Sequence, residues 1–313
     1  MIARLTGKLA YLSTWFGFKI GCIGMRVCPG VVFYLSDGLA RIGFCLFRGF
    51  RNRSIANIRI ALGDGLSSSE IGGVARGSLR NFFRACAEIG GAVVASDAKL
   101  KAEIPIVGRK HLDAALGKGK GVLLLSAHLG NFFLVGCRLA LEGLPTFVLV
   151  NQPSDGRFAE LMDDYRLQVR QKTIHARPRQ RALRELTEVL RRNQIAVVIA
   201  DEYRRGSGIE VPLFGKTVIA RRGAVSLALR TGAAVVPACM VRQADDSLRL
   251  VIEPELELAR EERNAAAVRE NTIRITRWLE RTVRSYPEQW NWMNIHWWVE
   301  ETNSGTPSKR ENN

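Results

Sequence analysis

Gly121-Val122-Leu123-Leu124-Leu125-Ser126-Ala127-His128-Leu129-Gly130-Asn131-Phe132-Phe133 is the stretch on which the reading of this chain turns. The apolar run 122–126 is bounded by Gly121 and by the turn that begins at Ala127. Its length suits a buried strand and is too short for a core helix. The run delivers one ionisable side chain, His128, at its C-terminal end, where open α/β sheets place their ligands. Imidazole titrates near neutrality and takes a proton from a hydroxyl without a metal or cofactor. A lone His at a strand end is also a common structural hydrogen-bonding group, so the neighbours of His128 must decide its role.

Outward from this strand, helix and strand signals alternate. Strands are expected at 104–107, 146–150, 195–200, 234–241 and 247–253. Helices are expected at 109–117, 131–142, 155–171, 179–193, 222–231 and 261–285, with Gly232 ending the helix that precedes it. The alternation predicts an α/β fold with a mostly parallel central sheet flanked by helices. Ahead of it, Ser67-Ser68-Ser69-Glu70 forms a capping box, and the helix it opens carries Arg76, Arg80 and Arg84 as one basic face.

Residues 1–50 are apolar and aromatic, interrupted by Lys8, Lys19, Arg26, Asp37, Arg41 and Arg48. No charge-free run approaches the roughly 20 residues of a spanning helix. Segments 9–25 and 31–47 therefore read as helices that lie on or dip into a bilayer, with Trp15, Phe16, Phe18, Phe33 and Tyr34 at the interface. A pair of buried core helices is the competing reading. Arg48, Arg51, Arg53 and Arg59 follow as a cluster suited to anionic lipid. The expected organisation is a membrane-associating segment at 1–50, an α/β domain at 51–300 and a disordered polar tail at 301–313.

The chain carries 46 Lys and Arg against 30 Asp and Glu, a net charge of +16, which calls for an anionic partner: nucleic acid, a membrane surface or an acidic protein. No helix-turn-helix, zinc-finger or RNA-binding signature supports nucleic acid. The six cysteines form no CxxC pair and sit mostly among apolar residues, as thiols of a reducing compartment do, and the histidines show no metal-ligand spacing. No convincing signal peptide is present, so most of the chain is expected on the cytoplasmic side.

Four blocks occur in order: Ser126-Ala127-His128-Leu129-Gly130-Asn131, then Ala200-Asp201-Glu202, then Val211-Pro212-Leu213-Phe214-Gly215-Lys216, and last Pro287-Glu288-Gln289-Trp290-Asn291-Trp292. Together they resemble the late acyltransferases of lipid A biosynthesis, the lauroyl/myristoyl transferase family, within the lysophospholipid acyltransferase superfamily. The resemblance covers residues 30 to 298, nearly the whole chain. It implies a membrane-associated acyltransferase with no cofactor and no metal. A fatty acyl group would move from acyl carrier protein or acyl-CoA to a hydroxyl of a lipid A-like or other anionic or glycolipid acceptor. The expected location is the cytoplasmic face of the cell inner membrane. A basic chain favours the acidic carrier protein as donor.

By the same resemblance His128 is the catalytic base, Asn131 positions its loop, and Asp201 stands where the family has its strand-end Asp. As a helix N-cap, Asn131 would instead be purely structural. Arg166 and Arg170, four apart on one helix face that could also be merely solvated, and Arg204 and Arg205 in a Gly-bearing loop are expected to bind substrate, with Phe214 and Gly215 in a loop beside the site that could also be a tight structural turn. One position departs. The family places an acid five residues after the histidine to orient it, and here that residue is Phe133. Loss of the orienting carboxylate from a His-based triad costs about 10⁴-fold in turnover. Either another acid such as Asp201 or Glu202 replaces it, or Asn131 orients His128, or the chain is a catalytically silent homologue that binds lipid or scaffolds a membrane assembly. The chain also continues past Trp292 as Met293-Asn294-Ile295-His296-Trp297-Trp298, where the family tends to be basic. Trp290, Trp292, Trp297 and Trp298 are expected as an interfacial belt or as packing over the C-terminal helix.

Overall fold

The computed structural model describes residues 2–152, 156–203, 208–261, 264–295 and 297, and in it a helical opening gives way to alternating strand and helix. The opening comprises α1 (Ile2–Val27), α2 (Pro29–Leu46), α3 (Arg48–Leu62), α4 (Ser68–Val94) and α5 (Asp97–Glu103). Then come β1 (Ile106–Val107), α6 (Arg109–Leu116), β2 (Val122–Ser126), α7 (Val135–Leu141), β3 (Thr146–Val150), α8 (Gly156–Gln168), β4 (Lys172–His175), α9 (Arg179–Arg191) and β5 (Ile195–Ile199). A hairpin of β6 (Ile209–Leu213) and β7 (Lys216–Ala220) precedes α10 (Gly223–Thr231), β8 (Ala234–Arg242), β9 (Leu248–Ile252) and α11 (Ala265–Ser285).

The main sheet has the order β1-β9-β8-β2-β5-β3-β4, parallel throughout except for the antiparallel pair β8–β9. The expected mixed architecture is therefore present. β2 lies centrally, pairing Val122 with Ile195 on β5 and with Ala234 on β8. All five of its residues are buried, as a parallel strand covered on both faces requires. Alternate side chains feed separate cores. Leu123 and Leu125 join residues of α9, α10 and α11, whereas Val122 and Leu124 join residues of α5, α6 and α7.

Helix α4 opens on the expected capping box. The Ser67 hydroxyl accepts from the Glu70 amide, and Glu70 accepts from the Ser67 amide at 2.7 Å. Its arginines do not form a free basic face, however. Arg84 donates to Asp37 of α2 at 2.7 Å, Arg80 and Arg84 each reach Asp246 at 2.8 Å, and Arg76 lies 5.8 Å from the Phe44 ring centre. The three arginines thus join α4 to α2 and to the β8–β9 turn.

Other elements differ locally from expectation. The helix expected from 131 begins as a tight 3-10 turn, Phe132–Leu134, before α7. Helix α8 stops at Gln168, because Arg170 adopts a left-handed φ of 62° that leads directly into β4, a strand the apolar pattern did not reveal. The 212–216 loop is the turn of the β6–β7 hairpin, with Phe214 and Gly215 at φ 50° and 71°, the twin positive values of a type I′ connection.

Helices α1 and α2 bracket the expected apolar segments and expose much of their surface. Ile20, Ile23, Val27, Tyr34, Ile42 and Leu46 are each more than half exposed. Among the described residues no single helix is long and apolar enough to cross a membrane, although α2 and α3, bent by 86°, pass that test as a pair.

Candidate active site

The turn after β2 is held from several sides before its histidine does any chemistry. The His128 carbonyl accepts from the Asn291 amide at 3.0 Å, and Leu129 bridges to Trp290. The Gly130 amide donates to the Gln289 carbonyl at 3.0 Å, and the Asn131 amide donates to the Met240 carbonyl at 2.9 Å. Gly130 has φ +60°, and a Cβ there would stand 1.8 Å from the Met240 carbonyl oxygen, so β8 and the turn can approach this closely only with glycine. The Asn81 side chain of α4 donates to the Gly130 carbonyl at 3.0 Å.

Against this fixed loop, His128 meets an acid from the next strand. Its Nδ1 lies 2.8 Å from Asp201 Oδ1, and its backbone amide donates to Asp201 Oδ2 at 2.8 Å. Asp201 follows the end of β5 and is fully buried, whereas the His128 side chain keeps 24% of its surface open. Burial alone would raise the Asp201 pKa. The charge of His128, with hydrogen bonds from its ring, from Trp290 and from the His128 amide, holds it below the ordinary value instead. Trp290 supplies its bond through the indole N–H, which donates to Asp201 Oδ2 at 2.7 Å. With Nδ1 committed to Asp201, any proton the ring exchanges with a substrate would have to pass through Nε2.

Phe133 does not occupy the orienting position. Phe132 meets the His128 ring edge-on at 4.8 Å, and Phe133 lies against Phe132 while its carbonyl accepts from Gln171. The acid reaches His128 from another strand, 73 residues away in sequence.

Asn131 is fully buried and makes no helix cap. Its amide donates to Glu88 at 2.8 Å and to the Ala85 carbonyl at 3.3 Å, which ties the loop to α4. Glu88 also ion-pairs with Arg242, which donates to Asn81 at 3.2 Å. The sequence reading missed this network. Its one visible signal was Asn81 and Glu88 on the face of α4 that also carries buried Ala85.

The expected substrate-binding residues do not assemble as one group. Arg166 is paired with Asp163 at 2.9 Å, and Arg170, beyond the end of α8, is paired with Asp97. Arg204 and Arg205 lie outside the described residues. Phe214 is buried, 6.2 Å from Trp290 and 6.0 Å from Trp292 between ring centres, and Gly215 is exposed at the hairpin turn. The Phe214 amide donates to Glu280 at 2.7 Å. The tryptophans are packing, not an interfacial belt: Trp290 and Trp292 are 2% and 0% exposed, and Trp297 donates to Asn57 at 2.9 Å. Trp298 lies outside the described residues.

The surroundings of the dyad do not suit a thiol nucleophile or a metal ion. Cys239, on the neighbouring strand β8, is buried, and burial pushes its thiol up to about 12, so no thiolate nucleophile is available there at neutral pH. Among the described residues no group of three or more His, Cys, Asp or Glu side chains is placed to hold a metal ion.

Residues 3–298 match the family described as bacterial lipid A biosynthesis acyltransferase. The chain belongs to that family. Among its curated relatives, a lipid A biosynthesis palmitoleoyltransferase of Escherichia coli is 26% identical over 290 residues, 90% of each chain. A lipid A biosynthesis acyltransferase of Shigella flexneri is similar to the same extent. A phosphatidylinositol mannoside acyltransferase of Mycobacterium tuberculosis is 32% identical over 137 residues, and the match spans only 42% of either chain. Membership gives the dyad a family context. In this member of the lipid A acyltransferase family, the acid beside the strand-end histidine comes from the end of β5.

Proposed function

We propose that this chain transfers a fatty acyl group from a thioester donor, acyl carrier protein or acyl-CoA, to a hydroxyl of a lipid A-like or other anionic or glycolipid acceptor. The observation that carries this reading is the 2.8 Å contact between His128 Nδ1 and buried Asp201. Asp201 fixes the tautomer in which Nε2 is unprotonated. Nε2 takes the proton of the acceptor hydroxyl as the oxygen attacks the thioester carbonyl, forming a tetrahedral intermediate and an imidazolium beside Asp201. Collapse breaks the C–S bond, and the imidazolium returns the proton to the departing thiolate. The products are the ester and the free thiol, and His128 ends as it began. The three relatives are acyltransferases by name, two for lipid A and one for a phosphatidylinositol mannoside. They support a lipid-borne acceptor. The net charge of +16 favours an acidic carrier protein as donor.

The proposed location is the cytoplasmic face of the inner membrane, with α1 and α2 as the segment that meets lipid. Their exposed apolar side chains support it. The silent-homologue alternative rests on the missing acid at Phe133, and the contact between His128 and Asp201 favours the enzyme over it.

The test is transfer of a radiolabelled acyl chain by purified membranes carrying wild type or His128→Ala. Loss of activity by several orders of magnitude is expected, and equal activity in the two would remove His128 as the base. Phe133→Glu is expected to bring no gain, because Asp201 already orients the ring. A large gain would mean that Asp201 does not perform that task.

A further inference from the structure

The carboxyl ends of the parallel strands carry more than the dyad. In the order β2-β5-β3-β4, these ends bring His128, then Asp201 and Glu202, then Asn151, then His175 and Arg177 into one row. Neighbouring strands stand about 4.8 Å apart, so the end of β4 is three steps, roughly 15 Å, from the end of β2. An open cleft of about 670 Å³ lies at the far end of this row, lined by Asn151, Ala176, Arg177, Pro178 and Arg179.

The charge state of that cleft separates it from its surroundings. Among the described residues, the acids nearest along the row are already engaged: Glu202 accepts from Asn151 at 3.0 Å, and Asp163 holds Arg166 at 2.9 Å and faces His175 at 3.5 Å. Arg166 and Arg170 are neutralised by Asp163 and Asp97. Arg177 and Arg179 are exposed and, among the described residues, have no carboxylate partner. Two exposed arginines lining one cleft suit a phosphate, which accepts bidentate, charge-assisted bonds. Arg179 also opens the 13-residue helix α9, whose dipole favours negative charge at that end.

We infer that Arg177 and Arg179, at the carboxyl end of β4, form a phosphate-binding subsite that holds a phosphorylated part of a substrate while its reacting end lies at His128. The inference rests on the acyl-transfer reading for the identity of that substrate. Two sources share the chemistry: the phosphate of the donor's pantetheine arm, and a phosphate on the acceptor lipid. Both lie several bonds from the reacting atom, as a subsite three strands away requires.

Equilibrium binding tests this without turnover. The full chain carrying His128→Ala, with and without Arg177→Ala/Arg179→Ala, is titrated with coenzyme A and, separately, with neutral vesicles containing a phosphorylated glycolipid. A charge-assisted contact to phosphate is worth tenfold or more in affinity, on the order of the loss expected for one of the two probes. Which probe weakens identifies the source, and Arg177→Lys/Arg179→Lys retains part of the affinity because the charge remains. The inference is overturned when neither probe loses more than about twofold, or when neither binds the parent chain. Failure here with His128→Ala inactive in acyl transfer leaves the dyad standing. Full activity in His128→Ala removes the transfer reading, whatever the arginines do.

Discussion

At the scale of residues, the site consists of an imidazole, a carboxylate and an indole in series. Asp201→Asn keeps the shape and removes the charge that selects the His128 tautomer. Turnover is expected to fall by about 10⁴-fold in the acyl-transfer assay, the loss seen when the same change is made in a serine-protease triad. The same substitution has a signature in stability. Asp201 is held below its ordinary 3.8, so its ionised form contributes stability above that pH, and the contribution is lost as pH falls through the depressed folded value. The difference in urea stability between wild type and Asp201→Asn should therefore narrow below about pH 3.8. Trp290→Phe keeps a ring in the aromatic cluster but deletes the N–H that donates to Asp201 at 2.7 Å. Expected are a kcat lowered about tenfold or more with KM within about twofold, and an acid transition moved up by on the order of one pH unit. A stability loss with unchanged kcat would make Trp290 a packing residue only.

At the scale of elements, the strands that carry the site were the most legible part of the sequence. β2 and β3 occupy the expected residues, Val122–Ser126 and Thr146–Val150, because short apolar runs between glycine and turn residues admit little else. The β6–β7 hairpin was missed because its turn puts Phe214 at φ 50°, a conformation that turn chemistry assigns to Asn, Asp or Gly. The Phe214 amide bond to Glu280 and the packing on Trp290 accompany that conformation, and neither partner is local in sequence. The dyad was half legible for the same reason. His128 announced itself at a strand end, whereas choosing Asp201 over Glu202 needs the β2–β5 register, which pairs Ser126 with Ile199. The support between α4 and β8 was not legible at all, since the Glu88–Arg242 pair joins residues 154 apart. Those side chains are only 10% and 5% exposed, so Glu88→Ala strands a buried guanidinium. A loss of about 3–5 kcal/mol in urea unfolding is expected. Glu88→Leu with Arg242→Met should recover most of it, because an apolar pair leaves no charge uncompensated.

At the scale of the whole molecule, the excess positive charge and the exposed apolar helices make separable demands. Part of the arginine content is internal stitching: Arg84 to Asp37, Arg242 to Glu88 and Arg109 to Glu142 are ion pairs that bind element to element. Helices α1 and α2 present Ile23, Val27, Ile42 and Leu46 outward while Asp37 anchors α2 to α4, so the apolar face is fixed to the α/β body and does not swing free. A face of this kind gains free energy by entering the interfacial region of a bilayer, about 1.5–3 kcal/mol for each large side chain fully buried. Ile23→Asp and Ile42→Asp should each lower partitioning onto anionic vesicles by roughly tenfold, read by flotation. Both positions are already solvent-exposed in the folded chain, so thermal stability in detergent-free buffer should hold within about 2 °C, as for surface substitutions generally. Raising salt tests the charge. Screening weakens the attraction of exposed basic residues to anionic lipid while leaving apolar insertion in place. Wild type should therefore retain a salt-resistant bound fraction that the Asp variants lack. Complete release of wild type by salt would show that charge alone holds the chain to lipid, and that α1 and α2 cover their apolar face in some other way.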